Sequence, residues 1–122
     1  MVQNILERID SPDLRVYAVW MPILLTDREV AARRSTGLIP DRRAAHFWSP
    51  DLELARAFRG PLGLERDPAW DVYLIYGRTA TWPVDAVPIP DTFQHQLSGR
   101  LPDAALLDEA SFEAAIRTRL HR

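Results

Sequence analysis

Residues Asp41–Pro83 read DRRAAHFWSPDLELARAFRGPLGLERDPAWDVYLIYGRTATWP, and this stretch sets the fold class. Asp41–Trp48 is expected to be a loop leading into a short extended segment. Ser49-Pro50-Asp51 then offers a helix cap, with Pro at the first helical position, where its missing N–H is no loss. Leu52, Leu54, Ala55 and Phe58 recur at helical spacing and predict one buried stripe. Gly60-x-x-Gly63 reads as the end of that helix, not as a phosphate loop. Trp70–Tyr76 is almost wholly apolar, as a strand covered on both faces should be. Gly77-Arg78 predicts a tight turn that brings Thr79–Trp82 back as an antiparallel hairpin partner.

Working outward, Val2–Ile9 predicts a short amphipathic helix with Ile5, Leu6 and Ile9 on one face, broken by Ser11-Pro12-Asp13. Leu14–Met21 (LRVYAVWM) predicts a second strand buried on both faces, ended by Pro22. Thr26 or Asp27 can cap a helix running to about Ser35, with Glu29 near its positive end and Gly37 and Pro40 closing it. Pro83, Pro88, Pro90 and Pro102 predict a mostly irregular segment over Pro83–Pro102. Asp108–Leu120 predicts a terminal helix with Phe112, Ala115 and Ile116 facing inward. Helices and strands interleave along the chain, which is the α/β pattern in one domain spanning residues 1–122.

Composition narrows the chemistry further. The chain has 122 residues, 47% hydrophobic and 26% charged, with a net charge of -2. Nothing in that balance points to nucleic acid or an anionic membrane. No apolar run approaches the ~18 residues of a membrane span, and the polar start MVQNILERIDSPD is unlike an export signal, so a cytoplasmic location is expected. There is no cysteine, and all 15 basic residues are Arg. Thiolate nucleophiles, disulfides and Cys-rich zinc sites are therefore excluded, as are lysine Schiff bases. The absence of Lys is most simply the mark of a GC-rich genome.

Asp41–Pro83 resembles the second half of a thioredoxin-like domain of the cytochrome-maturation and peroxiredoxin type. Members of that type pass from a turn through a helix ending in an Ala-x-x-aromatic-Gly pattern into a strand, a hairpin and an edge strand. More closely, Val16–Leu24, Asp41–Trp48, Ala69–Trp82 and Pro90–Leu97 resemble, in order, segments of a poorly characterised group of bacterial thioredoxin-like proteins. Ser49 and Thr92-Phe93-Gln94 depart from that group's pattern. The resemblance implies a thioredoxin-like three-layer sandwich, N-terminally truncated, because the first strand and its Cys motif have no counterpart here. It also puts Trp70 where such domains carry a cis-proline facing the thiols, so classical thiol–disulfide exchange is not expected. The strands Leu14–Met21 and Trp70–Tyr76 would then lack a central partner. Three resolutions are open: the two strands pair directly, a second chain supplies a strand, or the natural protein is longer.

Candidate site residues follow from what chemistry remains. Asp27, Arg43, His46 and Asp71 could meet near the carboxyl ends of the strands, where open α/β sheets place their sites. Asp71 is the sharpest, since a carboxylate opening an apolar strand needs a partner. Arg43 could fork onto it, either as a structural ion pair or as part of a ligand site that would also include Asp27 and Trp70. His46 and His95, with Asp71, form the alternative catalytic set, able to ligate a metal or do acid–base work. No local metal-ligand spacing supports that set, so satisfied histidines are the plainer reading and no metal or cofactor is expected. The four Trp residues are expected mostly in the core, Arg33-Arg34 and Arg42-Arg43 on a solvated surface, and Ser98-Gly99 outside any nucleophile-elbow setting. The expected function is that of a thiol-free binding or interaction module, or the non-redox part of an oxidoreductase-like protein. The expected partner is a second copy joined at an unpaired sheet edge, or another protein. A small metal- or acid/base-dependent enzyme using His46, Asp71 and His95 is the alternative.

Overall fold

The computed structural model describes residues 1–22, 36–64, 69–83, 85–97 and 99–121. Asp27, the helix expected to end near Ser35, the Arg33-Arg34 pair, Pro68 and Ser98 lie outside the described residues. Helices and strands are mixed, as expected of an α/β chain, and they fall into two compact units, Met1–Leu52 and Glu53–Arg122.

In the first unit, α1 (Val2–Arg8) forms where the sequence predicts it and buries Ile5, Leu6 and the following Ile9. Two strands follow, β1 (Val16–Trp20) and β2 (Ala44–Trp48), paired in parallel from Val16 opposite Ala44 to Trp20 opposite Trp48. The ladder is closed by Val16 N–H to Arg43 O at one end and Ser49 N–H to Trp20 O at the other. The partner of the Leu14–Met21 strand is thus the short extended segment at the end of Asp41–Trp48. The expectation of burial on both faces is corrected: Tyr17 is 69% exposed. Period-2 alternation puts Tyr17, Val19, Ala45 and Phe47 on one face of the pair, and apolar content alone cannot show that Tyr17 and Phe47 stay exposed on it.

In the second unit, α2 (Glu53–Ala57) starts later than the Ser49-Pro50-Asp51 cap implied, and α3 (Arg59–Leu62) follows after Phe58. Ala55, Phe58 and Leu62 face the core. Gly63 ends α3 at φ 77, a left-handed position suited to a residue without Cβ, and Leu64 N–H returns to Arg59 O at 2.8 Å. Strand β3 (Val72–Ile75) is antiparallel to β4 (Thr92–His95), with Val72 opposite His95 and Ile75 opposite Thr92.

This pairing overturns the expected hairpin. Thr79–Trp82 is not the partner of β3; Arg78 and Thr79 lie in a turn, and the partner comes from the proline-bearing segment expected to be irregular. Asp91 explains how. Its backbone N–H reaches Ile75 O at 2.9 Å and its carboxylate accepts Gly77 N–H at 2.9 Å, so the chain is pinned at the end of β3 and β4 starts in register. The terminal helix α4 (Glu109–Leu120) is capped by Asp108, which accepts from Ser111 N–H at 2.8 Å, and it buries Phe112. The core gathers Phe58, Leu62, Leu64, Ala69, Leu97 and Leu101, with Trp70, Val72, Leu74 and Phe93 packed against it.

Candidate functional site

Arg43 stands just before β2, where the backbone returns beneath the end of α1. Its Nε and Nη2 fork onto the two carboxylate oxygens of Asp41 at 3.0 and 2.8 Å. Nη2 also reaches Leu6 O at 2.6 Å, while Nη1 reaches Ile9 O at 2.5 Å and Ser11 O at 3.1 Å. The carbonyls left without intrahelical donors at the end of α1 are thus satisfied by one planar cation. Hydrogen bonds from Arg43 hold the Asp41 carboxyl down at about 2. The expected fork from Arg43 to Asp71 is replaced by this one, because all the directional donors of Arg43 are used within the first unit. Arg43 ties α1 to the start of β2.

Both histidines of the alternative catalytic set are likewise committed. The Nδ1 of His46 accepts from Trp20 Nε1–H at 3.1 Å and its Nε2 donates to Ile39 O at 3.0 Å, with the indole and imidazole nearly parallel. His95 is wholly buried; its Nδ1 accepts from Leu97 N–H at 2.9 Å and its Nε2 donates to Pro102 O at 2.8 Å. An N–H donor aimed at each Nδ1 fixes the Nε2-protonated tautomer on both rings, so neither presents a lone pair to a metal or substrate. His46 lies in the first unit, and Asp71 and His95 in the second. Among the described residues, no three His, Asp or Glu side chains come together as metal ligands.

Asp71 is the sequence-predicted residue that keeps an unusual position. Its φ is 49, the only non-glycine positive φ among the described residues, immediately before β3. Asn and Asp tolerate this region better than other residues, but a non-glycine there remains strained. Its carbonyl accepts Gln96 N–H at 3.0 Å, extending the β3–β4 ladder by one bond. Partial burial pushes its carboxyl above the usual carboxylate range. Tyr73 is close enough to feel that charge: burial first, then Asp71, pushes its phenol up. The Tyr73 hydroxyl donates to Gln96 Oε1 at 3.3 Å, and its ring meets Phe112 edge-on. Trp70, placed beside Asp71 in the sequence, packs on the core instead.

Two features were not among the sequence expectations. Tyr17 and Phe47 stack at 6.3 Å on the open face of the β1–β2 pair, 69% and 51% exposed. Trp82, 55% exposed, rests on Phe58 and Tyr76, whose hydroxyl donates to Pro88 O at 2.8 Å and whose phenol burial pushes up to about 12. Strand alternation could have flagged the first pair, since Tyr17 and Phe47 sit at compatible positions once parallel pairing is assumed. No protein family, curated protein or solved structure matches this chain in comparisons of sequence and fold. Among the described residues, no helix is long and apolar enough to cross a membrane.

Proposed function

We propose that this is a thiol-free, thioredoxin-like domain that works by binding, and that a second copy of the chain joins it through the β1–β2 sheet. The observation that carries the reading is the stacked Tyr17–Phe47 pair, apolar surface left facing outward on a sheet whose histidine and arginine are already committed to the fold. Exposed aromatic rings on a rigid strand pair are the usual raw material of an interface core. Among the described residues the sheet has only two strands, so each keeps an edge without a sheet partner. Charge does not oppose self-packing, since residues 1–52 hold seven Asp and Glu and seven Arg. Support for the thioredoxin-like part is the passage from helices into β3 and then into an antiparallel partner.

The test is light scattering over a concentration series, on the wild type and on the Tyr17→Ser/Phe47→Ser double variant. The expected result is a concentration-dependent dimer that becomes monomeric in the double variant, with an unchanged circular dichroism spectrum. A wild type that stays monomeric throughout, or a double variant that still dimerises, refutes the dimer.

A further inference from the structure

His95 holds the chain that leaves β4 and comes back to it. Its ring stands on the face of the β3–β4 pair that Val72, Leu74 and Phe93 turn to the core. The ring nitrogens engage Leu97 N–H and Pro102 O. The His95 carbonyl accepts Leu107 N–H at 2.8 Å, and its backbone forms a parallel bridge with Leu106. Departing and returning chain are thus fastened to one residue. Leu97 and Leu101, which that chain places in the core, are 3% and 6% exposed.

A proton is incompatible with this arrangement. A neutral imidazole has one donor and one acceptor, and both are in use; the imidazolium has two donors. A proton on Nδ1 sets one N–H against another, that of Leu97. Each ring nitrogen makes a single in-plane bond, so with both occupied no carboxylate can reach the closed ring to hold a charge. The titratable and charged residues on the elements packed against it are Asp71 and Tyr73 at β3, and Arg100, Asp103 and Asp108 in the returning chain. Tyr73 alternates to the opposite face from Val72, and Asp71, Arg100, Asp103 and Asp108 are exposed, whereas His95 has no exposed surface. Burying a charge with an unpartnered N–H is strongly unfavourable, so the ring must leave its place to take the proton.

We propose that His95 is an acid-sensitive clasp, whose protonation releases Leu97, Pro102 and Leu107 from β4 and opens the apolar surface of Leu97 and Leu101, while the β3–β4 ladder stays formed. The open form takes the proton and the closed form does not. Closure is therefore complete above about pH 6.5, the ordinary midpoint of a histidine in an open chain, and weakens as the pH falls below it. The inference depends on neither the dimer nor the thioredoxin-like reading, because every group it uses belongs to the second unit.

The experiment is amide hydrogen exchange of the full chain, followed by NMR at about pH 7.5 and about pH 5.5, the ordinary histidine midpoint lying between them. Protection factors at Leu97 and Leu107 should fall about tenfold over that interval, the effect of one proton taken up by the open form alone. Those at Tyr73 and Gln94, opposite each other in the ladder, should hold. The His95 ring nitrogens should keep the signature of the neutral Nε2–H tautomer at both values. In His95→Asn, whose amide oxygen can take Leu97 N–H, the fall should vanish; His46 and His121 remain in that variant and control for every other histidine. The wild-type measurements stand by themselves where the variant does not fold. Unchanged protection at Leu97 and Leu107, an equal fall at Tyr73 and Gln94, a protonated His95 ring beside a still protected Leu97, or the same fall in His95→Asn overturns the proposal.

Discussion

Replacing His95 tests whether a buried histidine here is a building element or a catalytic group held in reserve. The side chain is fully buried and bridges two backbone groups, Leu97 N–H and Pro102 C=O, at 2.9 and 2.8 Å. In His95→Ala, the Leu97 N–H is left in a buried position without an acceptor, at about 1–3 kcal/mol. The bond to Pro102 is worth about 1 kcal/mol, because that residue is exposed and its carbonyl can turn to water. Loss of the ring leaves a cavity worth about 2 kcal/mol. The total of about 4–6 kcal/mol is comparable to the whole stability of a small domain, so His95→Ala should be largely unfolded. Two milder variants make the effect measurable. His95→Leu keeps most of the volume and loses both bonds, and should cost about 2–4 kcal/mol. His95→Asn places an amide oxygen where Nδ1 stands, can accept Leu97 N–H locally, and should cost about 2 kcal/mol or less. Urea unfolding followed by circular dichroism reads the midpoints, which should fall in the order wild type, Asn, Leu, Ala at constant slope. Hydrogen exchange at the Leu97 amide supplies the local check, with protection kept in Asn and lost in Leu. If His95→Leu is as stable as the wild type and Leu97 stays protected, the bridge is not what holds this histidine, and the structural reading fails.

Further outcomes follow from two other contacts, those of Arg43 and of Gly77. In Arg43→Met, the carbonyls of Leu6, Ile9 and Ser11 lose their donor, which should cost the first unit about 2 kcal/mol by urea unfolding. The same substitution should return the Asp41 carboxyl from about 2 toward its ordinary 3.8 in an NMR titration. Because the folded value is depressed, the contribution of Asp41 is complete above pH 3.8 and fades as the pH falls toward 2, so the acid limb of the stability profile should flatten in Arg43→Met. At Gly77, a Cβ would stand 2.9 Å from the Asp91 carboxylate that accepts Gly77 N–H, so Gly77→Ala should cost about 1 kcal/mol or more. In an Asp91→Ala background that penalty should shrink by at least about 0.5 kcal/mol, and strict additivity in the double-mutant cycle would refute the latch.

Local signals in the chain were sufficient for some elements. The apolar face of Val2–Ile9 defines α1, and Asp108 with Phe112 four residues on defines the start and buried side of α4. Zero cysteines exclude thiol chemistry without any structure. These conclusions rest on spacing and composition, which are properties of neighbouring residues. The pairing of β3 was not of that kind. Gly77-Arg78 looks like a hairpin turn, yet the partner of β3 lies beyond a proline-bearing stretch, chosen by the Asp91 bonds to Ile75 and Gly77 and by the buried bridge of His95. Sequence also singled out Asp71 by its place at the head of an apolar strand, but its left-handed backbone shows only in the structure. For Arg43 the sequence pointed to Asp71 as the carboxylate partner. Only the return of the chain beneath α1 decided for Asp41 and three backbone carbonyls, because a guanidinium goes where the most unsatisfied acceptors converge, and that convergence is made by tertiary packing.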